Sequence, residues 1–197
     1  MTVHVADLRT ESQRNPVGID IRQPRLSWKL RSNRRDVRQS AYRVIVIQGD
    51  ANDADDRDSI LWDTGKIESD QTTGILYEGP RLSSRQRCKW KVMVWDERGE
   101  ASDWSEPAYW EMALLHRSDW TAKWIEPEQE PVVRDRDLTL PEALGWTDPT
   151  DFGKLHPCPM IRKTFEVRGP VRRARIYATA HGVYALELNG ARVGNQE

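Results

Sequence analysis

Apolar and polar residues alternate in short runs along the first part of the chain, and turn residues separate the runs. Leu26, Trp28 and Leu30 alternate with Ser27 and Lys29. Residues 42–47, Tyr-Arg-Val-Ile-Val-Ile, are rich in β-branched side chains and end at Gly49-Asp50. Residues 88–95 alternate again and stop at Asp96-Glu97-Arg98-Gly99, and residues 107–112 supply a closing strand. A period of two sends successive side chains to opposite faces of a strand. No stretch carries the 3.6 periodicity of a long amphipathic helix. Short strands bounded by turn signals predict an all-β protein built on a sandwich.

The pattern changes after residue 116. Residues 126–159 hold Pro127, Pro131, Pro141, Pro149, Pro157 and Pro159 with acidic residues between them. Proline fixes φ and donates nothing to a ladder, so this reads as a loop or linker. Strand signals resume over 161–167, 173–179 and 183–188, and the last leads into Asn189-Gly190, the best hairpin signal in the chain. A jelly roll takes about eight strands. Three strands and part of a fourth predict an incomplete sheet. The expected organisation is a sandwich over 1–116, a boundary and Pro-rich linker over 117–160, and over 161–197 the start of a partial jelly-roll-like β-domain.

The first module resembles fibronectin type III domains. Pro24, Leu26 and Trp28 match that family's early strand, and Tyr42, Val44 and Val46 its third. The stretch from Leu82 to Val94 matches the entry and body of its sixth strand, with Gly99, Ser102 and Trp104 following. Where the family has a corner tyrosine, six residues after Leu82, this chain has Cys88. A thiol is a weak donor, which predicts a weaker corner with Trp90 carrying more of the packing. If Tyr42, Val44, Val46, Trp90, Val92 and Val94 point inward, Ile45, Ile47, Met93 and Trp95 point outward on adjacent strands. They are expected to form an external apolar patch for contact with another domain, the alternative being scattered surface residues.

Composition narrows the function classes. Thirty basic and 31 acidic residues give a net charge of −1, which argues against a nucleic-acid partner. No apolar run is long enough to span a bilayer. No signal peptide is visible at the N-terminus, so a cytoplasmic location is expected. Cys88 and Cys158 lie 70 positions apart, without a CxxC partner, and read as unpaired thiols. Nine Trp against two Phe favour cores, interfaces or sugar platforms.

A set of ordered runs resembles bacterial α-L-rhamnosidases. It includes Leu8-Arg9-Thr10-Glu11, Asn15-Pro16-Val17-Gly18-Ile19-Asp20 and Gln23-Pro24-Arg25-Leu26-Ser27-Trp28. Leu61-Trp62-Asp63-Thr64-Gly65-Lys66, Val94-Trp95-Asp96 and Trp104-Ser105-Glu106-Pro107 follow. Ser118-Asp119-Trp120-Thr121-Ala122-Lys123-Trp124-Ile125 resembles the boundary into that family's next domain. Arg162-Lys163-Thr164-Phe165 and Tyr184-Ala185-Leu186-Glu187-Leu188-Asn189-Gly190 resemble its N-terminal β-domain. The resemblance implies a glycoside hydrolase that acts on terminal α-L-rhamnosides with inversion, using two carboxyl groups of an α/α toroid beyond these sandwiches. No catalytic residue, cofactor or metal is assigned to this chain. The implied role is a non-catalytic N-terminal fragment. Its partners would be the remaining domains of the parent enzyme and a rhamnose-containing glycoside. The competing reading is a self-standing fibronectin type III-like binding or adhesion module.

Few residues offer chemistry of their own. Asp50-Ala51-Asn52-Asp53-Ala54-Asp55-Asp56-Arg57-Asp58 lacks the ligand spacing of a calcium loop and reads as a solvated hairpin loop. Arg31, Arg34, Arg35 and Arg38 read as an exposed turn, with the acidic loop or an anionic ligand as alternatives. Trp120 and Trp124 are candidates for stacking on sugar rings, with packing at a domain junction the preferred reading, and Trp62 is a similar case. His4, His116, His156 and His181 lack metal spacing.

Overall fold

Pairing follows the alternation. The computed structural model describes residues 3–49, 59–128 and 159–194. Its strands are β1 (His4–Thr10), β2 (Val17–Ile19), β3 (Arg25–Arg31), β4 (Gln39–Gln48), β5 (Ile60–Asp63), β6 (Ile67–Glu68), β7 (Ile75–Leu76), β8 (Arg87–Asp96), β9 (Ala108–Met112), β10 (Glu187–Leu188) and β11 (Ala191–Arg192). A three-stranded sheet has the order β1-β3-β7; a larger sheet has the order β2-β9-β8-β4-β5, with β6 also paired to β4. The chain divides into two units, Met1–Trp124 and Ile125–Glu197.

The two sheets of the first unit enclose one core. β8 alternates strictly between half-buried and buried positions, and its register with β4 sets Val44 opposite Val92 and Val46 opposite Trp90. Leu26, Trp28, Val44, Val46, Trp90, Val92, Val94, Trp110 and Met112 are all buried in it. Trp28 meets Tyr42 edge to face at 5.3 Å, and Tyr77 meets Trp62 and Trp110 likewise at 5.3 and 5.9 Å. Such pairs add to area burial by about 0.5–1.5 kcal/mol each. The buried Trp28 indole donates to Gln39 Oε1 at 3.0 Å, and Gln39 Nε2 donates to the carbonyls of Ser69 and Gln71. A buried polar side chain is satisfied in this way, and residues 69–71 are fixed against the core.

The N-terminal stretch changes sheets. β1 pairs antiparallel with β3, then β2 pairs parallel with β9. The crossing takes left-handed backbone at Asp7, Glu11, Ser12 and Asn15. Asp7 sits at the register shift in β1, and its carboxylate meets Lys29 at 2.8 Å, Arg14 at 2.6 Å and Arg9 at 3.2 Å. Those three cations hold the Asp7 carboxyl well below the usual range. Asn15 Oδ1 accepts from the Tyr109 amide at 3.0 Å, which fastens the crossing to β9.

The corner before β8 departs from expectation. Cys88 is fully buried and free, and its thiol bonds no backbone group among the described residues. Tyr77 makes the tie instead. Its hydroxyl donates to the Pro80 carbonyl at 3.1 Å, and the ring is 1% exposed. Gly79 is required beneath it, because a Cβ there would lie 2.5 Å from the Tyr77 hydroxyl oxygen.

The second unit looks different. Asn189 and Gly190 both have positive φ, and they close the expected two-residue hairpin between β10 and β11. Residues 161–167 and 173–179 form no strands. A strand exists only through its ladder, and an isolated hairpin is marginal in water. Among the described residues of this unit, 125–128 and 159–194, none is buried.

Candidate functional site

The outer face of the larger sheet carries the residues expected there, under a cover that alternation alone did not foresee. Met93 and Trp95 are half-buried, as outward side chains of β8. Ile45 and Ile47 point the same way, yet they are only 8% and 7% exposed, so the open apolar patch is smaller than expected. Trp104, from the connection after β8, returns to this face. The Arg43 guanidinium lies 5.9 Å and the Lys91 ammonium 4.8 Å from its ring. Lys91 stands opposite Ile45 in the register, and Lys89 opposite Ile47. Long cationic side chains lay their aliphatic stems along apolar surface while their heads stay wet. Lys66 over Trp95 at 5.0 Å and Arg87 over Tyr109 at 4.6 Å extend the same arrangement.

Two polar clusters hold the loops around this face. Arg34 is not a free member of an exposed turn: its side chain is 18% exposed and bonds the carboxylate of Asp96, with Glu97 at 3.2 Å. Its partners are therefore the acidic turn after β8. Burial pushes the Asp96 carboxyl up, but the amides of Glu100 and Arg98 and the Arg34 charge outweigh it and leave the carboxyl below its usual range. At the domain exit, Ser84 donates to Asp119 and accepts from the Leu115 amide at 2.8 Å, and the His116 amide donates to Asp119 at 2.9 Å. Asp119 is held below the usual range first by Ser84 and then by that amide.

A groove of about 550 Å³ opens where the sheets part, beside β5, β6 and β7. Its wall includes Tyr42, Trp62, Ile67, Gln71, Leu76 and Glu78. Trp62 packs one side against the core, while Ile67 and Leu76 are 39% and 48% exposed. The turn beneath is rigidly tied. Asp63 takes a two-pronged bond from Arg43 at 2.9 and 2.6 Å and accepts from the Gly65 amide, and Thr64 Oγ1 accepts from the Val44 amide at 2.9 Å. Arg43 accordingly lowers the Asp63 carboxyl.

Trp120 and Trp124 are 39% and 65% exposed and do not line this groove. Among the described residues, no group of three or more His, Cys, Asp or Glu side chains is placed to hold a metal ion. The acidic run from Asp50 to Asp58, Cys158, His156 and most of the Pro-rich stretch lie outside the described residues. Sequence reasoning missed Tyr77 as the corner residue and the placing of Tyr42 and Glu78 on one groove wall. The only local signal for the corner was Tyr77-Glu78-Gly79-Pro80, an aromatic followed by turn residues.

Two mainly antiparallel sheets around a Trp-rich core, with loops fastened by buried carboxylates, define an immunoglobulin-like β-sandwich module. A family model described as the Rha78A-like N-terminal immunoglobulin domain matches residues 5–116. The chain belongs to that family. It is 33% identical to an α-L-rhamnosidase of Streptomyces avermitilis over 99% of this chain and 19% of that protein. It is 36% identical to one of Formosa agariphila over 94% of this chain and 18% of that protein. The chain thus spans about a fifth of the length of these relatives. Among solved structures it resembles the S. avermitilis α-L-rhamnosidase complexed with L-rhamnose, with a TM-score of 0.60 and 40% identity. That match covers 64% of this chain and 12% of that one. The α-L-rhamnosidase of Dictyoglumus thermophilum gives a TM-score of 0.59 and 36% identity, covering 64% and 14%.

Proposed function

We propose that this chain is the non-catalytic N-terminal portion of an α-L-rhamnosidase, a glycoside hydrolase of terminal α-L-rhamnosides. The observation that carries the reading is the span of the likeness: nearly all of this chain aligns with proteins of that name, and with less than a fifth of each. Inverting or retaining hydrolysis takes two carboxyl groups flanking the scissile bond. Asp7, Asp63, Asp96 and Asp119, four well-buttressed carboxylates, are each bonded to cations, hydroxyls or amides that hold them ionised. Such groups suit structure rather than proton transfer.

In this reading the sandwich over 1–116 is scaffolding, 117–160 is the boundary and linker, and 161–197 opens a β-domain whose other strands lie elsewhere in the parent polypeptide. The exposed side chains of the second unit, Phe165 at 66% and Val183 at 100% among them, support this, since further strands would cover them. Met93 and Trp95 then contact a neighbouring domain of the same enzyme, with Ile45 and Ile47 packed beneath. The buried, free thiol of Cys88 fits a reducing compartment, the cytoplasm.

The test is release of nitrophenol from 4-nitrophenyl α-L-rhamnoside. The 197-residue chain alone is expected to give none above buffer, and the same chain joined to the polypeptide that its gene encodes after Glu197 is expected to give turnover. Turnover by the chain alone, or none by the joined polypeptide, would overturn the proposal.

A further inference from the structure

The groove beside β5, β6 and β7 has a use that scaffolding does not require. Its size falls inside the range of small-molecule sites, about 300–1,000 Å³. Tyr42 is a core residue, 9% exposed, whose side chain also lines the groove. Glu78 is exposed on the same wall, and burial, followed by the Glu78 charge, pushes the Tyr42 hydroxyl above its ordinary range. A phenol and an exposed carboxylate thus stand on one groove wall, a donor beside an acceptor. Gln71 adds an amide that is held in position by its bond to the Thr73 carbonyl at 2.8 Å. Around these polar groups lie Trp62 and the exposed side chains of Ile67 and Leu76.

We infer that this groove is a sugar-contact subsite for a 6-deoxyhexose, with the ring against Trp62, ring hydroxyls bonded to Tyr42 and Glu78, and the C5 methyl group against Ile67 and Leu76. A flat aromatic face suits the apolar face of a pyranose, and a carboxylate accepts from vicinal hydroxyls. The exposed aliphatic pair is what separates a deoxy sugar from one with a hydroxymethyl group. A hydroxymethyl placed there would lose its water without gaining a partner. The choice of sugar rests on the proposed parent activity; the site itself rests on the geometry.

The experiment is an NMR titration of the isotopically labelled 197-residue chain with methyl α-L-rhamnopyranoside. Methyl α-D-glucopyranoside and lysine methyl ester run in parallel. The expected result is saturable shifts at about millimolar concentration, centred on the Trp62 indole, the Gln71 amide and residues 75–78. Glu78→Gln and Tyr42→Phe should each weaken binding by about tenfold, with amide spectra otherwise unchanged. Trp124→Ala should leave it unaltered. Absence of saturation, shifts centred on Trp120 and Trp124, or equal binding of the glucoside would overturn the assignment. Preference for the lysine ester would do so too, and would make the groove a site for a cationic group. Failure here leaves the turnover test of the joined polypeptide standing. Success here with no turnover there leaves a sugar site on a different parent.

Discussion

Trp110 and Phe165 are both aromatic residues in runs that read as strands. Trp110 is fully buried, between Tyr77 and the rest of the core, and Phe165 is 66% exposed. The first unit closes two sheets over its apolar residues, whereas the described part of the second pairs only Glu187–Leu188 with Ala191–Arg192. The same local alphabet therefore gives a fold in one region and a single hairpin in the other. What differs is the number of partners. Apolar alternation specifies a face, and only a second layer turns that face into a core.

The sharpest way to break this contrast is to truncate one aromatic residue in each region. Trp110→Ala should cost about 3–5 kcal/mol in urea unfolding, enough to threaten the first unit outright. Phe165→Ala should change the same midpoint by less than about 0.5 kcal/mol. Comparable losses would mean that the second region has a core of its own.

A smaller effect sharpens the account of the corner. Gly79→Ala pushes a methyl group into the Tyr77 ring and should cost about 1–3 kcal/mol. Tyr77→Phe removes only the bond to Pro80 and should cost about 0.5–1.5 kcal/mol. If Tyr77→Phe were neutral, the packing of Trp90 would be carrying a weak corner, as the sequence pattern implied.

Alkali offers a further probe. Burial pushes the Cys88 thiol and the Tyr77 hydroxyl up to about 12. Both groups stay protonated in the fold while the unfolded chain ionises from about pH 8.5 for the thiol and about pH 10 for the phenol. Their contribution is complete below those values and is lost as the pH rises towards 12, because the unfolded state then binds fewer protons. Cys88→Ala should flatten the first part of the decline in the urea midpoint.

Acid gives the mildest response. The Asp7, Glu11, Asp63, Asp96 and Asp119 carboxyls all sit below their ordinary values. Their stabilisation is present above about pH 4 and declines as the pH falls through the lowered values of the folded state. Midpoints at pH 7 and pH 5 should therefore agree closely, with the loss appearing only below about pH 4. A decline already at pH 6 would point to histidine instead.

Much of the sandwich was legible before any coordinates. β3 and β8 carry clean alternation and their inward sets are the buried ones, whereas in β4 the outward Ile45 and Ile47 are buried as well. β1 was not legible, because Asp7 and Arg9 interrupt its pattern at a shift in register. β5, β6 and β7 are two to four residues long, and their partners define them more than their sequence does. The site was legible only in part. Trp62 stood out beside its turn, and the outward set of Ile45, Ile47, Met93 and Trp95 could be read from parity. The cover provided by Trp104 could not, since it depends on where a loop returns. Nor could the placing of Tyr42 and Glu78 on one groove wall, because 36 positions separate them in the chain.

The parallel seam between β2 and β9 has a mechanical consequence. The Pro16 carbonyl accepts from Glu111, and the Ile19 carbonyl accepts from Ala113 at 2.7 Å. These bonds join the second strand of the sandwich to its last. Sliding β2 along β9 therefore loads them together, sideways to their own axes, rather than one after another. A seam stitched in this manner resists shear with all its bonds at once, as a lap joint does.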